Sequence, residues 1–374
     1  MDKKSLTMDE FFHQIPKVDL HYHLLGGVRM ETMLDFANKY GVQLSEDEAK
    51  CYYRAYQHET PTTKGGIEAL TFLYQLMKEP EDYCRVLNEV AEDAAESHIK
   101  YIETFWNPSD TTLDYKVVTN ALIKAIDDIE EKHSIIIRLI PSINREKSPE
   151  EAITMVKAMI DNPHPYVLGI GIDYKEQNSP VEHYWKAYQL AQEFGYKTTA
   201  HCSEFGLHWR NVESGIELIN VDRIDHGYTI IDNAELTEKY AQEGIPFTVI
   251  PSNTYYLKQW PDYHEWVSQH PIREMAEAGL VIIPCTDDWH IHNTTGANCY
   301  RVMCEDFGFD LDSIKQLMLN GIQASWLSDE KKKQYIQDWS VLFDLLRNRL
   351  RSEPTLKNDN VIHYKTKNLN YFFD

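Results

Sequence analysis

Four groups of residues in this chain have the types and spacing of a metal-assisted hydrolytic centre. They are His21-Tyr22-His23, His201-Cys202-Ser203-Glu204, His226 and Asp287-Asp288. Three imidazoles and one carboxylate drawn from them make a donor set for a divalent cation such as zinc. The remaining glutamate, histidine and carboxylate are then free for proton work on a water that the metal activates.

The spacing within each group narrows the roles. His21 and His23 are two apart, so on a strand both side chains point to one face. A single buried histidine is ordinarily a hydrogen-bonded core residue, whereas a close pair at a strand end suits the preference of neutral imidazole for metals. Glu204 lies three residues beyond His201, where a carboxylate can reach substrate without ligating the metal. Its bland reading is a solvated loop acid. His226 precedes Gly227, a turn signal, and can serve as ligand, base or stabiliser of hydroxide. Asp287 and Asp288 diverge if the backbone is extended, so one can bind metal while the other faces substrate.

These groups are far apart in sequence, and each follows or ends a short apolar, β-branched run. They meet only if strand ends converge, as at one face of a parallel β/α barrel. Eight such runs can be read, at about 17–23, 99–106, 134–141, 167–173, 196–202, 222–227, 246–252 and 280–287. Several are nearly continuous in apolar residues, as strands buried on both faces should be. Segments with three- and four-residue apolar spacing separate them, for example 150–160 behind a Ser-Pro start, 181–194 and 233–243. Alternating strand and helix implies right-handed parallel crossovers. The expected fold is therefore an α/β (β/α)8 TIM barrel, with residues 1–374 as one domain. A helical insertion at about 30–98 follows the first strand, with patterns at about 30–41, 45–56, 66–77 and 80–97, and is expected on the active-site side, either as a lid or as a packing extension without a gating role. A helical extension begins near 309, and residues 351–374 either close the barrel bottom or dangle.

Composition bounds the partners. The chain has 374 residues, 43% of them apolar and 12% aromatic, enough for a large core. Its net charge of −22, from 59 acids against 37 bases, disfavours nucleic acid or an anionic membrane as a main partner. The six cysteines form no CxxC pair, which reads as reduced thiols in a cytoplasmic protein. The N-terminal residues have no long apolar stretch, so a secretory signal is not expected, and no apolar run approaches transmembrane length.

Five segments carry a family resemblance. PKVDLHYHLLGG resembles the opening PKxELHxHLxG of the adenosine deaminase family, within the amidohydrolase superfamily. TAHCSEFG, DRIDHGY, IPSN and CTDDW resemble the family's later segments in the same order and at matching strand positions, from Pro16 to about Leu327. The resemblance implies one zinc ion per chain on His21, His23, His201 and Asp287. It implies that Glu204 protonates a purine ring nitrogen, that His226 orients and stabilises the attacking hydroxide, and that Asp288 hydrogen-bonds the imidazole-ring nitrogen. His23, Leu25, Asp288 and Trp289 would face the substrate.

The chain also departs from the family pattern. Leu25 stands where the family carries an aspartate that binds the ribose 5′-hydroxyl, and a leucine cannot accept that bond. The segment Ile172-Asp173-Tyr174-Lys175-Glu176-Gln177 lacks the family's glycine, Glu103-Thr104-Phe105 replaces ExR, and Trp289 replaces a proline. The expected substrate is therefore an amino-purine other than plain adenosine: free adenine, an N6-modified adenine, a 5′-modified adenosine, or another amino-heterocycle. Phe105, Trp106, Trp289 and the Tyr255-Tyr256 pair are candidates to stack on its ring. Two rival readings stand beside this one. Lys175 could bridge two metals in a binuclear amidohydrolase acting on amides, lactones or esters. The chain could also be a non-catalytic nucleoside-binding protein.

Overall fold

A computed structural model describes residues 5–56, 59, 64–177, 179–252, 263–351 and 361–366. Eight strands pair in parallel, each with its successor in sequence: β1 (Lys17–His23), β2 (Ile99–Trp106), β3 (Ile136–Asn144), β4 (Gly169–Asp173), β5 (Lys197–Cys202), β6 (Arg223–His226), β7 (Pro246–Val249) and β8 (Val281–Pro284). The run expected to reach 287 leaves the sheet at Pro284, and the one expected to reach 252 ends at Val249. The chain past β8 still closes the ring. The Asp287 amide donates to the His21 carbonyl at 2.9 Å, and the His23 amide donates to the Asp287 carbonyl at 3.0 Å. The fold is the expected TIM-type barrel.

Period-two alternation sorts β1. Val18 and Tyr22 face the helices, where Val18 meets Gly321 and the Tyr22 hydroxyl lies beside Gly27 and Val90. Asp19, His21 and His23 face inward. The interior is layered in polar pairs. Lowest lies a buried ion pair, Arg223 Nη1 to Glu103 Oε2 at 2.8 Å, with the Tyr101 hydroxyl donating to Glu103 at 2.7 Å. Above it, Asp225 accepts from the Thr199 and Thr248 hydroxyls, each at 2.8 Å. The imidazoles stand on top. Arg223, Glu103 and Asp225 are thus paired or hydrogen-bonded, which offsets their desolvation.

The outer helices follow ordinary cues. They are α1 (Met8–Gln14), α2 (Met30–Lys39), α3 (Glu46–Lys50), α4 (Gly66–Leu76), α5 (Pro80–Glu96), α6 (Tyr115–His133), α7 (Pro149–Asp161), α8 (Trp185–Glu193), α9 (Arg210–Glu213), α10 (Ala234–Glu243), α11 (Tyr263–Gln269), α12 (Pro271–Glu277), α13 (Gly296–Arg301), α14 (Leu311–Ala324) and α15 (Asp329–Arg347). The Ser-Pro start of α7 is a capping box, with Ser148 and Glu151 each satisfying the other's amide. α5 packs against β2 and α6, as the crossover helix between the first two strands must. The insertion proper is therefore shorter than the expected 30–98. It comprises the 3-10 turn Leu24–Gly27 and α2 to α4.

At the opposite end, α1 and α15 meet through Phe11 and Phe343, whose ring centroids are 5.3 Å apart. Part of the tail also closes this end. The buried Tyr364 hydroxyl donates to the Leu280 carbonyl at 2.7 Å and accepts the Ile282 amide at 3.2 Å, at the start of β8. No helix among the described residues is long and apolar enough to cross a membrane.

Candidate active site

The strand ends bring together all seven residues proposed for metal binding and proton transfer. His23 Nε2 is 3.2 Å from His201 Nε2 and 3.3 Å from Asp287 Oδ1, and His21 Nε2 is 3.6 Å from the same carboxylate oxygen. His226 Nε2 is 3.8 Å from Glu204 Oε2. Asp288 shares the small inner cavity with His23, His201, Glu204 and Asp287.

Backbone conformation explains how adjacent residues reach one point. Strict alternation would send Asp225 and His226 to opposite faces. His226 has φ 66°, however, and Asp287 has φ 65°, both in the left-handed region. Tyr174 and Ser203, just past β4 and β5, have φ 70° and 55°. Each such residue costs on the order of 1–3 kcal/mol, and these four cluster at the catalytic ends of strands. The turn at Asp287 also brings Asp287 and Asp288 to one cavity, where an extended backbone would part them.

The electrostatics divide the groups into ligands and acids. Burial pushes the His23 imidazole down to about 3 and lowers His201 as well, leaving neutral lone pairs. Burial also opposes a proton on His21, but Asp225 and Asp287 outweigh it and raise its pKa. The same carboxylates would draw a metal cation. Asp287 is buried yet held well below the usual carboxylate range by His21, His292 and His23. Glu204 goes the other way: burial, then Asp287 and Glu176, push its carboxyl well above the usual range. Burial and Asp287 do the same to Asp288, and burial with His21 and His201 keeps His226 neutral.

The donor set fits zinc. Ligand atoms about 2.0–2.1 Å from a tetrahedral zinc stand about 3.3 Å apart, close to the spacings above. His21 Nε2 is buried without a hydrogen-bond partner, as an atom reserved for a cation would be. The nitrogens of His21, His23 and His201 lie within 4.8 Å of one another, as do the donor atoms of His21, His226 and Asp287.

Several supporting residues carried no clear signal in the sequence. Asp225 lies beneath two imidazoles, with Oδ1 3.6 Å from His21 Nδ1 and Oδ2 3.3 Å from His201 Nδ1. His21, His201 and Arg223 hold it ionised against its burial. Glu176 accepts the amides of Ser203 at 2.6 Å and Glu204 at 3.2 Å, so it sets the loop that carries Glu204. His292 Nε2 stands 3.5 Å from Asp288 Oδ2 on the cavity wall. Its spacing of four residues from Asp288 is the one signal that pointed to it.

Other expected substrate contacts fall elsewhere. Leu25 is buried in the core of the 3-10 turn and Trp289 packs on Tyr22 with centroids 6.1 Å apart, and neither lines the inner cavity or the larger one above it. Trp106 stacks on Tyr115 at 5.7 Å. The Phe105 ring lies 5.2–5.4 Å from the rings of His21, His23 and His201 and forms the floor beneath them. Tyr255 and Tyr256 lie outside the described residues. The larger cavity, about 410 Å3, has walls that include Ile67, Phe205 and Ile291 as well as Glu204 and Asp288. α4 forms its roof. A Cβ on Gly66 would come within 2.9 Å of Asp288 Oδ2, so the backbone there approaches the site closely.

Comparison with known proteins agrees with this geometry. Residues 16–339 match the family model described as adenosine deaminase. The chain is 40% identical to a Burkholderia ambifaria amidohydrolase solved with bound zinc, with a TM-score of 0.88 over 93% of this chain and 96% of that one. It is 28% identical to an adenosine deaminase of Clostridium botulinum, over 86% of this chain and 96% of that protein. It is 25% identical to an adenine deaminase of Vibrio parahaemolyticus, over 88% and 96%.

Proposed function

The chain belongs to the adenosine deaminase family, and from that premise we propose that it is a zinc-dependent hydrolytic deaminase of an amino-purine or related amino-heterocycle, releasing ammonia. The observation that carries this reading is the pairing in one cavity of a zinc-spaced His/Asp donor set with a carboxyl, Glu204, that burial pushes well above the usual carboxylate range.

His21, His23, His201 and Asp287 would hold one zinc ion, which would supply hydroxide near neutral pH. Glu204 gives its proton to the ring nitrogen beside the carbon that bears the amino group. That proton accommodates the ring electrons as the carbon becomes tetrahedral on addition of water oxygen. His226, neutral and 3.8 Å from Glu204, orients the attacking oxygen. Asp288 keeps a proton and donates it in a hydrogen bond to the lone pair of the imidazole-ring nitrogen. Glu204, now a carboxylate, carries the hydroxyl proton on that carbon to the amino nitrogen, the C–N bond breaks, and ammonia leaves an oxo group on the ring. The candidate substrates are adenine, an N6-modified adenine and a 5′-modified adenosine, and Leu25, sunk in the core, lines neither cavity that would receive them. A cytoplasmic setting belongs to the same proposal, supported by six free thiols, four of them buried.

The binuclear alternative draws little from the geometry. A metal-bridging lysine has to lie buried among the imidazoles, whereas Lys175 is exposed at the cavity mouth. The test is a screen of amino-purines, amino-pterins, amides, lactones and esters. Ammonia and an oxo-heterocycle in equal amounts from an amino-heterocycle are expected. Turnover confined to amides, lactones or esters would contradict the proposal.

A further inference from the structure

The chain is strongly acidic, with 59 acids against 37 bases, yet bases gather where the catalytic cavity opens. Arg54, Lys64 and Lys175 line the cavity that contains Glu204 and Asp288, and among the described residues Glu68 is the one further carboxylate on its wall. Lys64 and Lys175 also line a second cavity of about 560 Å3 outside the first, so they flank the passage between the two. They come from different elements. Lys64 precedes α4 of the insertion, and its ammonium donates to the Tyr52 hydroxyl at 2.8 Å and lies over that ring at 4.3 Å. Lys175 follows β4, where the left-handed backbone of Tyr174 buries the tyrosine and leaves the lysine exposed at the mouth.

Two acids share the surroundings. Glu146 lines only the outer cavity, whereas Glu68 lines both, its carboxylate folding back over the start of its own helix, with Oε2 2.6 Å from where a Gly65 Cβ would stand. Cations on low-dielectric cavity walls concentrate anions and speed their entry. At about 410 Å3 the cavity that opens between these bases falls within the ~300–1,000 Å3 typical of sites for ligands larger than a bare ring.

We propose that the substrate carries an anionic substituent, a phosphate or a carboxylate, on the side remote from its amino group, and that Lys64 and Lys175 bind it at the passage with Arg54 behind them. This rests on the deaminase reading and names the substrate class of that site. Neither lysine touches the reacting atoms. Both determine specificity.

The experiment compares kcat/KM within two matched pairs on the zinc-loaded full chain. One pair is adenosine and adenosine 5′-monophosphate, and the other is 9-methyladenine and 9-(carboxymethyl)adenine. The anionic member of at least one pair is expected to be favoured by about tenfold at low salt, and less at high salt. The arm that shows the preference identifies the anion. Lys175→Glu and Lys64→Glu should each collapse that ratio, and Lys175→Gln should reduce it by less. Reading the ratio within one variant removes any general effect of the substitution. Neutral members equal or better in both pairs overturn the proposal while leaving the deaminase reading intact. A preference that survives both charge reversals overturns the assignment to these lysines. If none of the four compounds releases ammonia, calorimetric binding of inosine 5′-monophosphate against inosine decides the matter. Tighter binding of the nucleotide, lost in Lys175→Glu, supports the anion site, and equal binding overturns it.

Discussion

Glu204→Gln lowers kcat by about 10²–10⁴, the usual worth of general acid catalysis, while the metal stays bound. Glutamine keeps the size of the side chain but has no acidic proton for the ring nitrogen. The other requirements of the step survive the change. The imidazoles and Asp287 are untouched, and the amides of Ser203 and Glu204 still reach Glu176. The loss should therefore appear in kcat, with metal content by elemental analysis equal to wild type. Unchanged turnover would remove Glu204 from the chemistry. Loss of metal together with activity would make Glu204 part of the metal site instead.

Asp225→Asn should weaken metal binding by about 10–100-fold, the usual effect of removing a group that orients metal ligands. Asp225 reaches His21 and His201 from below, at 3.6 and 3.3 Å, and its neighbours hold it ionised. Its charge favours a proton on Nδ1 of each histidine, directly at His201 and, at His21, through the Thr248 hydroxyl that stands 2.9 Å from Nδ1 and donates to Asp225, and it raises the basicity of each Nε2. Asparagine keeps the size of the side chain, but its single amide oxygen can accept from only one of Thr199 and Thr248, so one of these hydrogen bonds is lost with the charge. Chelator competition measures the affinity directly. An unchanged affinity would show that the threonines and strand geometry suffice to orient the two rings.

The barrel was legible because its strands are buried on both faces and so stand out as short, β-branched apolar runs between amphipathic helices. The histidines were legible because a close pair at a strand end has few structural uses. Strand ends were less so. β8 leaves the sheet at Pro284, and the residues expected to extend it bend through a left-handed backbone at Asp287, a turn that neither glycine nor asparagine marks. Asp225 escaped notice because an acid inside a strand looks the same whether it orients a ligand or balances Arg223. Glu176 was one of several acids past β4, and only the amides it accepts distinguish it. Leu25 was read as a wall residue from its position in a motif, but the 3-10 turn rotates it into the core. The insertion was overextended to 98 because α5 has the same periodicity whether it caps the mouth or serves as a crossover. Its packing on β2 and α6 makes it the latter.

The central claim is that His21, His23, His201, Asp287 and Glu204 form one hydrolytic centre around a single zinc ion. Its most direct test is a titration of metal-free protein with zinc, following ammonia release from the best substrate found. The account predicts no release without metal, a linear rise in rate, and saturation at one zinc per chain. Saturation at two zinc ions, or ammonia released by the metal-free protein, would contradict it.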